Sequence, residues 1–260
     1  MFGRNKKTEQ IEKVEKIEKE VYDEKEQRST AIFTAVLLVF LAVTLLFLNF
    51  WTSNFGLVKV SGNSMKKTLK SGEYLLSYDV IYPEYELKRG DVIVVAVGHI
   101  PEWQQKNAKN PDNPTEFIIK RLIGLEGDIV RCTKGKMEIC YAGTWDETMQ
   151  YSEYPFVAVD EPYAYYDEGK GGMDAPCNTF EYTVGEGEIF FLGDNRNNSN
   201  DSRYLQDGYS ELDRLYKIDD VTAVVTDWAL KHQKGLQKYL VEIPTKIKDF
   251  VRKPFKKLKK

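Results

Sequence analysis

The sequence predicts a mainly β protein, in which an antiparallel β domain sits behind a single N-terminal transmembrane helix. Three observations predict it. The run from Ala31 to Trp51 (AIFTAVLLVFLAVTLLFLNFW) holds no charged residue, the segment 1–30 before it is densely charged, and the chain after it breaks into short runs of β-branched and aromatic residues punctuated by Gly, Asp and Pro. With 260 residues and 42% hydrophobic content, the chain can bury a real core in one sizeable domain plus attachments.

The apolar run is long enough, at about 1.5 Å rise per residue, to cross the roughly 30 Å hydrocarbon core. A cleaved signal peptide has a short basic start, a shorter apolar stretch and a small-residue cut site. Here the run follows a long charged segment and ends in Asn49-Phe50-Trp51-Thr52, so an uncleaved anchor with an aromatic interfacial end is expected. Basic residues Arg4, Lys6, Lys7, Lys13, Lys16, Lys19, Lys25 and Arg28 precede it and few follow closely, which places the N-terminus in the cytoplasm and the rest outside. The expected organisation is a charged cytoplasmic segment at 1–30, the anchor at 31–51, an extracytoplasmic β catalytic domain at 52–235 and a basic amphipathic tail at 236–260.

Within 8–28, Ile11, Val14, Ile17 and Val21 recur three or four apart among Lys and Glu, giving a helix with one narrow apolar stripe. Strands are expected at 57–60, 74–76, 91–95, 117–119, 128–130, 188–191 and 221–225, and Lys134-Gly135 between Val130 and Met137 is expected to turn a hairpin. The stretches 99–116 and 142–183 are expected to be loops or extensions. The tail from Lys246 sets Ile247, Phe250, Val251, Phe255 and Leu258 among lysines, a pattern that suits either a membrane surface or a solvated basic tail.

Net charge is −3, but acids and bases are segregated by segment, so charge is read locally. Cys132, Cys140 and Cys177 would meet an oxidising compartment, where one disulfide plus one odd thiol is arithmetically possible and the pairing is unassignable. Their spacing is not that of a zinc site, and the two histidines, His99 and His232, are far from them in sequence. No cofactor or metal is expected, and nucleic acid is not among the expected partners.

So few histidines leave little room for a Ser-His-Asp system, since His232 lies beyond the last expected strand and nothing near His99 resembles an orienting partner. The alternative base for a serine is a lysine kept neutral by burial. Lys120 interrupts the apolar stretch Phe117-Ile118-Ile119 … Leu122-Ile123, although taken alone it reads more readily as a strand lysine pointing to water. Ser61-Gly62-Asn63-Ser64-Met65 follows a strand end with residues that tolerate a tight backbone. Gly193-Asp194-Asn195-Arg196-Asn197-Asn198-Ser199-Asn200-Asp201-Ser202-Arg203 packs hydroxyls, amides, acids and guanidiniums directly after an apolar strand.

Taken in order behind one anchor, these segments resemble the type I signal peptidases. The matching pieces are Ser64-Met65 with Thr68-Leu69, Gly90-Asp91-Val92-Ile93-Val94, Lys120-Arg121 with Gly124 and Gly127-Asp128, and Gly193-Asp194-Asn195-Arg196 with Ser199 and Asp201-Ser202-Arg203. They span about 60 to 203 and leave the intervening inserts unmatched. The resemblance implies Ser64 as nucleophile, with Lys120 as its general base and later acid. It implies Ser199 orienting the Lys120 amine, an ionic network of Asp201 and Arg203 with Arg121, and a supporting turn at Gly193, Asp194 and Asn195. It also implies an oxyanion hole that uses the Ser64 backbone N–H and rests more on backbone donors, because the position two before the nucleophile is Gly62. The implied activity is removal of signal peptides from exported preproteins after small residues, with the lipid bilayer as second partner. The family usually has proline where this chain has Lys67, and losing a residue that pre-sets φ is expected to loosen the loop after Ser64.

Two other readings stay open on the residues alone. One is a Ser–Lys processing peptidase dedicated to a pilin or other surface protein; the other is a non-enzymatic, membrane-tethered β domain that binds a partner through its Tyr-rich acidic loops.

Overall fold

A computed structural model describes residues 6–79, 86–109, 111–112, 114–203 and 216–237. The expected basic tail falls, apart from its first two residues, outside the described residues, as does most of the segment after Arg203. The chain divides into two compact units, Met1–Asn54 and Phe55–Lys260.

The first unit is one helix, α1 (Lys6–Asn54). It contains neither Gly nor Pro, so nothing in its sequence breaks it between the charged segment and the apolar run. The hydroxyls that could have competed for the backbone turn inward instead, with Thr30 Oγ1 donating to Glu26 O at 2.9 Å and Thr34 Oγ1 to Thr30 O at 2.8 Å. Every large apolar side chain from Ile32 to Phe50 is exposed. In water such a surface would be costly, and among the described residues this is the helix long and apolar enough to cross a membrane. It fits a membrane anchor.

The second unit is built from two antiparallel sheets. The larger contains β1 (Phe55–Lys59), β2 (Tyr74–Asp79), β3 (Val92–Ala96), β4 (Phe117–Leu125), β9 (Ile189–Leu192) and β10 (Val221–Val225), in the order β1-β2-β10-β3-β4-β9. The smaller contains β5 (Ile129–Thr133), β6 (Lys136–Cys140), β7 (Val157–Ala158) and β8 (Phe180–Thr183), in the order β7-β6-β5-β8. The expected hairpin joins β5 to β6 through Lys134 and Gly135, whose φ values of 50° and 75° are those of a two-residue turn that matches strand twist.

Strand β4 is the spine. Ile118 and Leu122 enter one core with Ile93, Val95 and Phe191; Ile119 packs on a second with Val60, Met65 and Leu75; Ile123 enters a third with Val130, Ile139 and Phe190. Both faces are covered, so its sequence is apolar on both sides of Lys120-Arg121. Where β4 hands over to the smaller sheet, the fully buried Asp128 accepts from Arg89 Nε and Nη2 at 2.7 Å each, from Leu125 N at 2.9 Å and from Ala142 N at 3.0 Å. A buried carboxylate this well supplied is a joint between the sheets.

Two expectations are corrected. The stretch 99–116 contains α2 (Pro101–Lys109), a helix held by tertiary burial of Ile100 and Trp103 and closed by Asn107, whose amide donates to Thr115 O at 2.9 Å while its oxygen accepts from Thr115 N at 2.7 Å. The stretch 142–183 contains β7, β8 and several 3₁₀ turns. All three cysteines are free, and Cys132 and Cys140 cannot meet, because they lie opposite Met137 and Ile129 respectively. After β10 the chain continues into α3 (Asp227–Gln237).

A Cβ on Gly124 would lie 2.6 Å from Val130 Cγ2 and 3.1 Å from Val184 Cγ2. Gly124→Ala is therefore expected to destabilise the second unit by about 1–3 kcal/mol, read as a lower urea midpoint at unchanged slope.

Candidate active site

After β1, Gly62 adopts φ +84° and begins a tight loop. Lys66 N donates to Asn63 O at 3.0 Å, and Thr68 N and Leu69 N both donate to Met65 O, at 3.1 and 2.8 Å. Met65 and Leu69 are buried in the core with Val60 and Leu75, which pins the loop from below and leaves Ser64 at its crest. From the other side Asn195 clamps it, donating its N–H to Ser64 O at 2.8 Å and its Nδ2 to Asn63 O at 3.0 Å. The Ser64 N–H meets no acceptor among the described residues, which leaves it available to an oxyanion.

Lys120 lies in β4, paired opposite Ile93 of β3, and is 3% exposed, so it does not point to water. Its Nζ lies 3.0 Å from Ser64 Oγ and donates to Ile119 O at 3.1 Å. Burial pushes the amine down from 10.5 to about 8, against the charges of Asp201 and Asp194, which push it up. A lysine in this state gives up a proton near neutrality, as a base for serine requires. Both residues line a cleft of about 370 Å³, shared with Val58, Val60, Val94, Ile119 and the α2 residue Trp103.

The 193–203 segment forms the back wall. Asp201, fully buried, is forked by Arg203 Nε and Nη2 at 2.8 and 2.9 Å and accepts from Gly193 N at 2.9 Å. Burial pushes its carboxyl up, but the Arg203 charge and these hydrogen bonds outweigh it and hold the group below its usual value. Arg121 is not joined to this couple as expected; it forks onto Asp194, Nε to Oδ1 at 2.8 Å and Nη2 to Oδ2 at 2.7 Å, and reaches Gly90 O at 2.8 Å through Nη1. Neighbouring residues on β4 point to opposite faces, so Arg121 cannot share the partners of Lys120.

Ser199 also departs from expectation. It is buried beside Asp201, whose carboxyl it helps to hold down, and the polar partners of Lys120 Nζ are Ser64 Oγ and Ile119 O. The hydroxyl lies instead against the Cα of Gly193: a Cβ there would sit 2.1 Å from Ser199 Oγ and 2.6 Å from Ser64 O, so only glycine fits. His99 pairs with Asp220 at 3.1 Å and His232 Nδ1 with Trp228 O at 2.8 Å, so neither histidine serves Ser64.

Sequence reasoning missed one whole part of this site. Residues 161–166, inside a stretch read as loop, lie across the back wall, with Glu161 forking Arg196 at 2.5 and 2.9 Å and Tyr165 N donating to Asp194 O at 2.7 Å. An arginine as buried as Arg196 demands an acid, but its burial shows only in the fold, so the sequence carried no signal for this segment. The Lys67 expectation is also overturned. Its φ of +89° is one that proline cannot adopt, and its Nζ donates to Pro162 O at 2.7 Å, so the loop after Ser64 is tied rather than loosened.

The family model of signal peptidase, peptidase S26, matches residues 30–221. The chain belongs to this family. Among its relatives, signal peptidase I of Pseudomonas fluorescens is 29% identical over 180 residues, covering 64% of this chain and 61% of that protein. Signal peptidase I of Rickettsia typhi is 29% identical over 194 residues, covering 66% of this chain and 71% of that one. The match thus spans less than two thirds of the Pseudomonas protein. A solved signal peptidase I from Enterococcus faecalis is 23% identical and covers 55% of this chain and 98% of that chain at a TM-score of 0.29, a likeness too low to bear on the fold.

Because the folded Lys120 amine titrates at about 8 and an unfolded lysine at 10.5, the unfolded chain binds the extra proton between those values, and stability rises with pH across that window. Below it the buried amine costs folding roughly 3 kcal/mol. Lys120→Met is expected to raise stability at pH 7 by about 1–3 kcal/mol, with the gap narrowing from pH 8 to 10, as measured by denaturant unfolding at each pH.

Proposed function

We propose that this chain is a membrane-anchored serine endopeptidase that removes signal peptides from exported preproteins, cutting after small residues. The observation that carries this reading is the 3.0 Å approach of Lys120 Nζ to Ser64 Oγ with the amine buried and titrating at about 8. In the proposed reaction the neutral Lys120 amine takes the proton as Ser64 Oγ attacks the scissile carbonyl. The oxyanion forms at the Ser64 N–H, the lysine returns its proton to the leaving amine, and an ester to Ser64 remains. Water, deprotonated by the same amine, hydrolyses the ester and restores the free serine. The Asp201–Arg203 and Arg121–Asp194 pairs set the field at the amine, since both carboxylates push it up against the effect of burial. No metal or nucleotide enters these steps.

The apolar helix supplies the other half of the proposal. With its basic N-terminal flank in the cytoplasm, the β unit works on the extracytoplasmic side. A substrate tethered by its own signal segment then shares the bilayer with the enzyme, which raises effective concentration without further contacts.

The test is cleavage of a signal-peptide-bearing preprotein in detergent by wild type, Ser64→Ala and Lys120→Ala, with the new N-terminus sequenced. Wild type is expected to cut after a small-x-small motif, each substitution to lower the rate at least about 10³-fold, and the wild-type rate to rise with pH up to about 8 and level off above it. Substitutions that left the rate intact would overturn the Ser–Lys assignment. Cleavage confined to one pilin-like or surface substrate would point to a dedicated processing peptidase.

A further inference from the structure

The strap formed by residues 161–166 contains no residue of the motifs described above, yet it touches the Ser64 loop, Arg121 of β4 and the 193–203 wall. Its contacts run to three places. Glu161 forks the buried Arg196 of the 193–203 wall, and Arg196 N in turn donates to Tyr165 O at 2.9 Å. Lys67 of the nucleophile loop donates to Pro162 O at 2.7 Å and to Ala164 O at 3.4 Å, and the neighbouring Lys66 ammonium sits 4.6 Å from the Tyr165 ring centroid. Between these, the Tyr163 ring lies over the Arg121 guanidinium at 3.9 Å.

Arg121 is the informative contact. Its fork holds both oxygens of Asp194, and Asp194 Oδ2 also accepts from Thr68 Oγ1 in the nucleophile loop. A planar cation forked on one edge and covered on one face by an aromatic ring is fixed in orientation and shielded from water, which strengthens its pairing. Burial pushes the Tyr163 phenol up, with Glu161 adding to the effect against Arg121 and Arg196, so the ring carries no charge of its own at working pH. The strap reaches this position at some cost: Lys67 keeps φ +89° to make its contact, a conformation that L side chains rarely adopt.

We propose that the strap 161–166 is a positioning element of the Ser–Lys site, in which Tyr163 acts through Arg121 and Asp194 and Lys67 fastens the strap to the nucleophile loop. The proposal rests on the peptidase reading above. Opening the strap wets the Arg121–Asp194 fork, so that the Asp194 charge is less compensated. Asp194 pushes the Lys120 amine up, so the base then requires a higher pH.

The test uses the full chain in detergent and the same preprotein, comparing wild type, Tyr163→Leu, Tyr163→Phe, Lys67→Met and Ser64→Ala. Tyr163→Leu is expected to lower kcat about tenfold with KM changed less than about twofold, and to move the acid limb of the kcat–pH profile upward. Tyr163→Phe keeps the ring face and is expected to recover most of that loss. Lys67→Met, at an exposed position with no part in the core, is expected to shift kcat and the profile in the same direction by about threefold, and it keeps the test valid if Tyr163→Leu does not fold. Tyr163→Leu and Lys67→Met enzymes with wild-type kcat and profile, alongside an inert Ser64→Ala, would overturn the strap proposal alone. An active Ser64→Ala would instead overturn the peptidase reading on which it rests.

Discussion

The constraint on which the rest of the structure depends is the burial of one amine. A lysine at 3% exposure must be enclosed by strands on both sides, kept from a full charge and given somewhere to place its hydrogens. Interior strand β4 supplies the enclosure, the carbonyl of Ile119 and the hydroxyl of Ser64 supply the partners, and two carboxylates set a field that stops the amine from falling too far. Each carboxylate is in turn buried and must be matched by a guanidinium, which explains why so much charge sits behind so small a cleft. The density of the 193–203 segment is a consequence of where Lys120 lies.

The wall is also short of space. No side chain larger than hydrogen fits at Gly193, and Asn195 spends both its backbone and its side-chain donors on the Ser64 loop. Among the described residues Asn195 Oδ1 is buried on this wall without a hydrogen-bond donor.

What was legible in the sequence followed from local physics. The anchor run, the two-residue hairpin at Lys134-Gly135 and the strand Val221–Val225 announce themselves through composition and period. The mainly β class followed from the same signals. Strand β4 was read only to Ile119, because Lys120-Arg121 breaks the apolar run, although the chain continues as strand to Leu125. Helix α2 was missed because its residues are polar on average and it owes its form to buried side chains such as Trp103 packed against distant elements, and β7 and β8 were missed because two and four residues are too short to show a period. For the site, the pairing of Ser64 with Lys120 came from the resemblance to the signal peptidase motifs; the apolar strand carrying a lysine and the glycine-led serine loop agree with it but do not by themselves join the two residues. The pairing of Arg121 with Asp194 and the course of 161–166 could not be anticipated, since they depend on which faces of sequence-distant segments meet.

The joint at Asp128 carries a consequence for anyone who would recombine this protein with its relatives. One carboxylate gathers donors from Arg89 ahead of β3, from Leu125 at the end of β4 and from Ala142 beyond β6. A chimaera that exchanged the smaller sheet as a cassette would cut through that set and strand a negative charge in the interior. The two sheets have separate strand orders and are closed electrostatically at this handover from β4 to β5, so the crossover points for a viable hybrid must keep all of Asp128's contributors from one parent.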